Sequence, residues 1–182
     1  MSAQLRYPIF FPALAVSLVL TMLSSAGQAT EFNVAMLDRS PLHVNQVLVR
    51  KEERRLYLMS DEEVIRSYRI SLGGNPYGHK LFEGDQRTPE GSYTLDWRNP
   101  GSDFYKSIHI SYPNKNDRSQ AAAWGQDPGG SIMIHGLPNG AEDMAFAYTG
   151  LDWTEGCIAV ANHEMDEIWQ LVSDGTPIQI VP

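Results

Sequence analysis

Cys157 is the only cysteine in a chain of 182 residues, so no intrachain disulfide can staple this fold. The constraint sharpens because the N-terminus reads as an export signal. Arg6 is the only charge in residues 1–29, and Ala13–Leu23 is apolar apart from Ser17 and Thr21. Gly27-Gln28-Ala29 then offers a small-x-small cleavage site. The apolar stretch is too short for a comfortable membrane span. Residues 1–29 are therefore expected to be a signal peptide cleaved after Ala29, leaving the mature chain in the periplasm. A cysteine exported to an oxidising compartment normally pairs. A lone one is a reactive thiol, a link to another chain or a small buried hydrophobe.

Residues 30–43 are expected to be an N-terminal segment, and residues 44–182 one domain long enough to bury a core. The chain carries 14 Lys and Arg against 22 Asp and Glu, a net charge of −8, and loss of Arg6 adds one more negative unit. That balance argues against nucleic acid or anionic lipid as partners.

The patterning predicts a mainly β domain with short helices. Val47–Val49 and Leu56–Met59 flank a charged turn, and Val64–Leu72 alternates with Val64, Tyr68 and Ile70 inward. Glu90–Leu95 and Ser107–Tyr112 read as further strands, with Ile108, Ile110 and Tyr112 on one face. Arg118–Trp124 favours a short helix and Ala141–Tyr148 a helical turn over the site. Ser131–His135 is a short buried strand stopped by Gly136. Asn162 is a helix N-cap, after which Met165, Ile168, Trp169 and Val172 recur at helical spacing. Ile178–Val181 is a last strand.

The chemistry centres on Thr154-Glu155-Gly156-Cys157. A glycine turn presents successive N–H groups, which can stabilise an oxyanion. His135 ends a strand upstream, where a chain reversal can bring it to the same cleft. An imidazole there takes the thiol proton. No Asp or Asn is placed to orient its ring, which leaves a backbone carbonyl near Gly136 as the candidate. Other constellations fail. His163-Glu164-Met165-Asp166-Glu167 has glutamate where a zinc motif needs its second histidine, and no Gly-x-Ser-x-Gly occurs. Neither a metal nor a cofactor is called for. The four tryptophans read as core or cleft wall.

These residues resemble the L,D-transpeptidase catalytic (YkuD-type) family. His135-Gly136 followed by Thr154-Glu155-Gly156-Cys157 is similar to its signature, and Thr88-Pro89-Glu90-Gly91-Ser92-Tyr93 to its Thr-Pro-x-Gly-x-Tyr turn. The similarity runs from about Val44 to Val181. The resemblance implies a β-sandwich-like catalytic domain acting on peptidoglycan stem peptides. By it, Cys157 is the nucleophile and His135 the general base, oriented by the Gly136 carbonyl. The N–H groups of Glu155, Gly156 and Cys157 line the oxyanion hole, and Thr154 and Tyr93 bind substrate. The acyl group passes to an amine, giving a 3–3 cross-link or attachment of an outer-membrane lipoprotein. Two positions depart from the pattern: Glu155 stands where the family has histidine, and Ala159 where it has Asn or Arg. These leave open a carboxypeptidase or endopeptidase of the same fold, in which water takes the acyl group. A non-catalytic wall-binding domain is the remaining alternative, opposed by the retention of both Cys157 and His135.

Overall fold

A computed structural model describes residues 43–182, so the signal-peptide expectation lies outside the described residues. Within them the strands are β1 (Gln46–Arg50), β2 (Arg55–Ser60), β3 (Glu63–Arg69), β4 (Gly91–Asn99), β5 (Ser107–Ile110), β6 (Met133–His135), β7 (Ile158–Ala159) and β8 (Thr176–Val181). The helices are α1 (Lys115–Ala123), α2 (Ala145–Tyr148) and α3 (Asn162–Leu171), with a 3₁₀ turn at Glu142–Met144. The β-rich expectation therefore holds. All eight strands join one sheet in the order β3-β2-β1-β8-β4-β5-β6-β7.

The sheet curls until its two ends meet. Just past β3, Ser71 and Ala159 of β7 exchange N–H···O bonds of 2.9 Å in both directions. Thr154 donates to Leu72 O at 3.1 Å and accepts from Gly74 N at 3.0 Å. The edges that would otherwise expose unpaired backbone are thus joined to one another. Inward alternation fills the curl with Val47, Val49, Leu58, Leu95, Ile134 and Ile158, none of them accessible to solvent. Each such side chain contributes roughly 1.5–3 kcal/mol of transfer free energy.

Two expectations of detail are corrected. Val64 was expected inside with Tyr68, but it is exposed. The β2–β3 register shifts between Leu58 and Met59, so Leu58 faces Arg66 while Met59 faces Val64. The extra residue in β3 reverses the side-chain phase and brings Ile65 against the core instead. Asn162 is not the N-cap of α3. Ala161 occupies that position, its N–H satisfied by Glu164 Oε2 at 2.9 Å. The Asn162 side chain reaches across to accept from Leu137 N at 2.8 Å. The apolar stripe is as expected, with Met165, Ile168 and Val172 buried and Trp169 half-buried against the core.

Candidate active site

Strand pairing sets the site. β6 and β7 run parallel, Ile134 beside Ile158 and His135 beside Ala159. Ile134 and Ile158 point into the core. Successive side chains alternate, so Met133 and His135 turn to the opposite face, and Cys157, one step before Ile158, turns there too. His135 and Cys157 line one cavity of about 400 Å³, whose walls include Phe104, Trp153 and Glu155.

His135 is almost fully buried, with 4% of its surface exposed. Its Nδ1 lies 2.6 Å from the carbonyl oxygen of Gly136. A carbonyl only accepts, so Nδ1 carries the proton and Nε2 is left as the basic atom. Gly136 is held close by its surroundings. A Cβ there would lie 2.6 Å from Asn162 Oδ1 and 2.9 Å from Tyr105 Cβ. The ring sits between aromatics, 4.7 Å from Phe104 and 5.7 Å edge-on to Trp153, centroid to centroid. Burial pushes the imidazole down to about 4, against the opposing pull of the Gly136 carbonyl. The imidazole is therefore neutral at rest.

Cys157 is half-buried. Burial pushes its thiol above the ordinary range, opposed by the Met133 N–H and by the charge of Lys80. Met133 N donates to Sγ at 3.4 Å, and Sγ lies 3.6 Å from Ser131 O. Among the described residues no hydrogen bond links the thiol to His135. The pair is a neutral thiol and a neutral imidazole, so any transfer of the thiol proton to Nε2 starts from that uncharged state.

The turn before Cys157 is locked from inside. Thr154 Oγ1 donates to Cys157 O at 2.7 Å and accepts from Gly156 N at 3.1 Å. Two of the expected roles change as a result. The Gly156 N–H is spent within the turn and does not serve an oxyanion. The N–H groups of Glu155 and Cys157 have no protein acceptor among the described residues, and they are the two donors left. Thr154 lines the cavity but is buried, and its hydroxyl is engaged in shaping the loop. Gly156 takes φ +125°, a conformation that strains any residue with a Cβ.

Tyr93 is also corrected. It is buried away from the cavity, and its hydroxyl donates to the buried Asp117 at 3.1 Å. Burial first, and then the Asp117 charge, push that phenol up. It is a core anchor of β4, not a substrate contact. Glu155 is exposed at the cavity rim, its carboxylate held by Gln86 Nε2 at 3.1 and 3.2 Å. His163 lines a separate cavity of about 180 Å³ behind Trp153, together with Arg69 and Glu164. Neither Cys157 nor His135 reaches that space. Tyr148 of α2 packs edge-on against Trp153 at 5.0 Å, which puts the short helix one aromatic ring away from His135.

Several neighbours of the site were not anticipated. Phe104 comes from the loop before β5, which is tied to the 136–140 loop through Tyr105 N to Asn139 Oδ1 at 2.9 Å. Asp152 holds Trp153 in place. It accepts from Arg54 Nη2 at 2.7 Å and from Leu72 N at 3.0 Å. Trp153 itself was expected as core or cleft wall, and it lines the cavity immediately before the Thr154 turn. No signal in the sequence pointed to Phe104 or Arg54.

Comparison with known proteins gives consistent matches. The profile of the YkuD family, the L,D-transpeptidase catalytic domain, matches residues 45–180. The Escherichia coli K12 protein named "Putative L,D-transpeptidase YafK" is 31% identical over 172 residues, covering 91% of this chain and 61% of the relative. The chain thus spans about three-fifths of that curated relative. The helical cell shape determining protein Pgp2 from Campylobacter jejuni (K307A mutant) is 31% identical with a TM-score of 0.57, covering 75% of this chain and 46% of Pgp2. An L,D-transpeptidase from Xylanimonas cellulosilytica has a TM-score of 0.52 at 16% identity, covering 76% of this chain and 61% of that one, which bears on fold alone.

Proposed function

The chain belongs to the L,D-transpeptidase catalytic domain family, and from that premise we propose that it is a peptidoglycan L,D-transpeptidase acting through Cys157. The observation that carries this reading is the parallel β6–β7 register, by which His135 and Cys157 share one face and one cavity. Cys157 Sγ attacks the carbonyl carbon of the bond between the diamino acid and the terminal D-alanine of a tetrapeptide stem. His135 Nε2 takes the thiol proton. The N–H groups of Glu155 and Cys157 hold the oxyanion. Collapse breaks the C–N bond, and the proton on His135 passes to the departing amine. The thioester that remains is attacked by an amine of a second stem or of a lipoprotein. The new C–N bond forms as C–S breaks, and the amine's proton returns through His135 to sulfur. The reading includes export to the periplasm, on the strength of residues 1–29.

Glu155 favours a second reading on the same acyl-enzyme. An exposed carboxylate at the cavity rim, in place of the family's histidine, can orient water and yield an L,D-carboxypeptidase or endopeptidase. One experiment decides. The protein is incubated with disaccharide tetrapeptide, with and without an amine acceptor, and the products are weighed by mass spectrometry. Cross-linked dimer supports the transpeptidase. Tripeptide alone supports the hydrolase. Neither product, with Cys157 left unacylated, overturns both.

A further inference from the structure

A lysine buried behind the catalytic turn has a bearing on the sulfur. Lys80 is 3% exposed, unusual for an ammonium. Its Nζ donates to Asp85 Oδ1 at 2.8 Å and to Phe82 O at 3.1 Å. The two ends of this ion pair face different ways. Asp85 is turned into its own loop, accepting from Leu81 N at 2.7 Å and Arg87 N at 3.0 Å. Lys80 lines a cavity of about 280 Å³ with Ile132, Gly130 and Glu155, and Asp85 does not reach that space. The wall of this second cavity is the back of the first. Ile132 lies between Ser131 and Met133, both of which line the Cys157 cavity, and Glu155 lines both. A Cβ on Gly156 would touch Ile132 Cδ1 at 3.4 Å, so the turn rests directly on that wall.

From this arrangement, and given Cys157 as the nucleophile, we infer that the Lys80–Asp85 pair is an oriented dipole whose ammonium end stabilises negative charge on the Cys157 sulfur through the wall of the site. The need for such a charge is plain. His135 is caged by aromatics and stays neutral at rest, so no preformed imidazolium supports a thiolate. Across the protein wall formed by Ile132 and the Gly156 turn, a fixed ammonium acts over a longer range than it would in water. The direction in which Lys80 moves the thiol agrees with this placement. The other charged groups around the sulfur do not substitute for it. Glu155 and Glu83 are acids, on the turn itself and on the second cavity, and Asp103 is an acid on the first. The Arg87 guanidinium is directed elsewhere, to His79 O at 3.4 Å. Lys80 touches neither substrate nor sulfur. It acts at a distance on a residue that does.

The test is the rate at which iodoacetamide alkylates Cys157 as a function of pH, read by mass spectrometry of the intact protein. Wild type is compared with Lys80→Met, Lys80→Arg and Asp85→Asn. Both Lys80→Met and Asp85→Asn break the same ion pair, so a purely structural role moves the thiol the same way in each. The dipole predicts opposite signs. The apparent thiol pKa should rise by roughly half a unit or more in Lys80→Met, and fall by a similar amount in Asp85→Asn. Lys80→Arg should stay near wild type. If Lys80→Met does not fold, the sign in Asp85→Asn decides alone. A rise there, or no change, overturns the inference, as do shifts of the same sign in both variants. No substrate is needed, so a thiol that titrates as expected but turns over no tetrapeptide would refute the proposed function and leave this inference standing.

Discussion

Gly156 lies against Arg87 so closely that a Cβ on Gly156 would stand 2.6 Å from the Arg87 carbonyl oxygen. The contact joins the Thr154–Cys157 turn to the loop that follows Asp85, and it occurs at a backbone angle of φ +125°. Gly156→Ala therefore meets both strain and a collision with main chain. It should lower stability by roughly 2 kcal/mol or more. On the proposed function it should also cut acylation of Cys157 by about a hundredfold, because that residue follows directly and moves with the turn. Denaturant unfolding and single-turnover acylation measure the two effects. A variant with unchanged acylation would show that the turn tolerates displacement.

Cys157→Ala should abolish acylation while leaving the fold intact. The lost sulfur costs on the order of 1 kcal/mol of packing. Mass spectrometry for the acyl-enzyme, with a thermal melt alongside, checks both parts. Product formation near the wild-type rate would remove the thioester mechanism.

The two histidines near the thiol should separate cleanly. His135→Ala should nearly eliminate acylation, and His163→Ala should change it little, since His163 opens into the cavity behind Trp153. The acylation rate on tetrapeptide, measured in both variants, decides. A larger loss in His163→Ala would reverse the assignment.

His135 also makes stability depend on pH. In the folded chain burial holds its imidazole down to about 4, whereas the unfolded chain protonates near 6.5. Between these values the unfolded state binds more protons, so stability rises with pH. This group's share is whole above about 6.5 and is lost as pH falls towards 4, by roughly 3 kcal/mol at most. Unfolding free energies of wild type and His135→Gln, compared at pH 7 and pH 5, should show the acid-side loss reduced in the variant. Equal losses would mean the imidazole takes its proton as easily in the folded chain as in the unfolded one.

Tyr93→Phe should behave as a core substitution. It leaves the buried Asp117 without its phenol donor and should cost about 1–2 kcal/mol. kcat/KM should hold within a factor of two. A selective rise in KM would return Tyr93 to the substrate site.

Much of the β architecture was legible because alternation along Leu56–Met59, Ser107–Tyr112 and Ile178–Val181 reports burial directly. The thiol and its histidine were legible through the turn and strand end beside them. Val64 was misread because a bulge reverses side-chain phase, and no local pattern announces it. The hydroxyls of Tyr93 and Thr154 were given to substrate because a motif names residue types, not the bonds their side chains make. One hydroxyl anchors a buried carboxylate, and the other closes a turn. The cost of a buried Lys80 is met by Asp85 five residues on, a separation that does not say which end of the pair faces the sulfur. That orientation is a property of the assembled loops.

The joining of Ser71 to Ala159 also sets an order of events. Nearly half the chain lies between these two residues, so their contact carries a large loop-closure cost and belongs with the slow, non-local steps of folding. β7 is two residues long, and apart from its short parallel pairing with β6 it has little to hold it until that contact forms. Cys157 is the residue immediately before it. Until the edges join, the turn that carries Cys157 also lacks its bonds to Leu72 and Gly74, so the thiol sits on a segment without a fixed shape. The surroundings of the thiol are therefore completed late, together with the closing of the sheet itself.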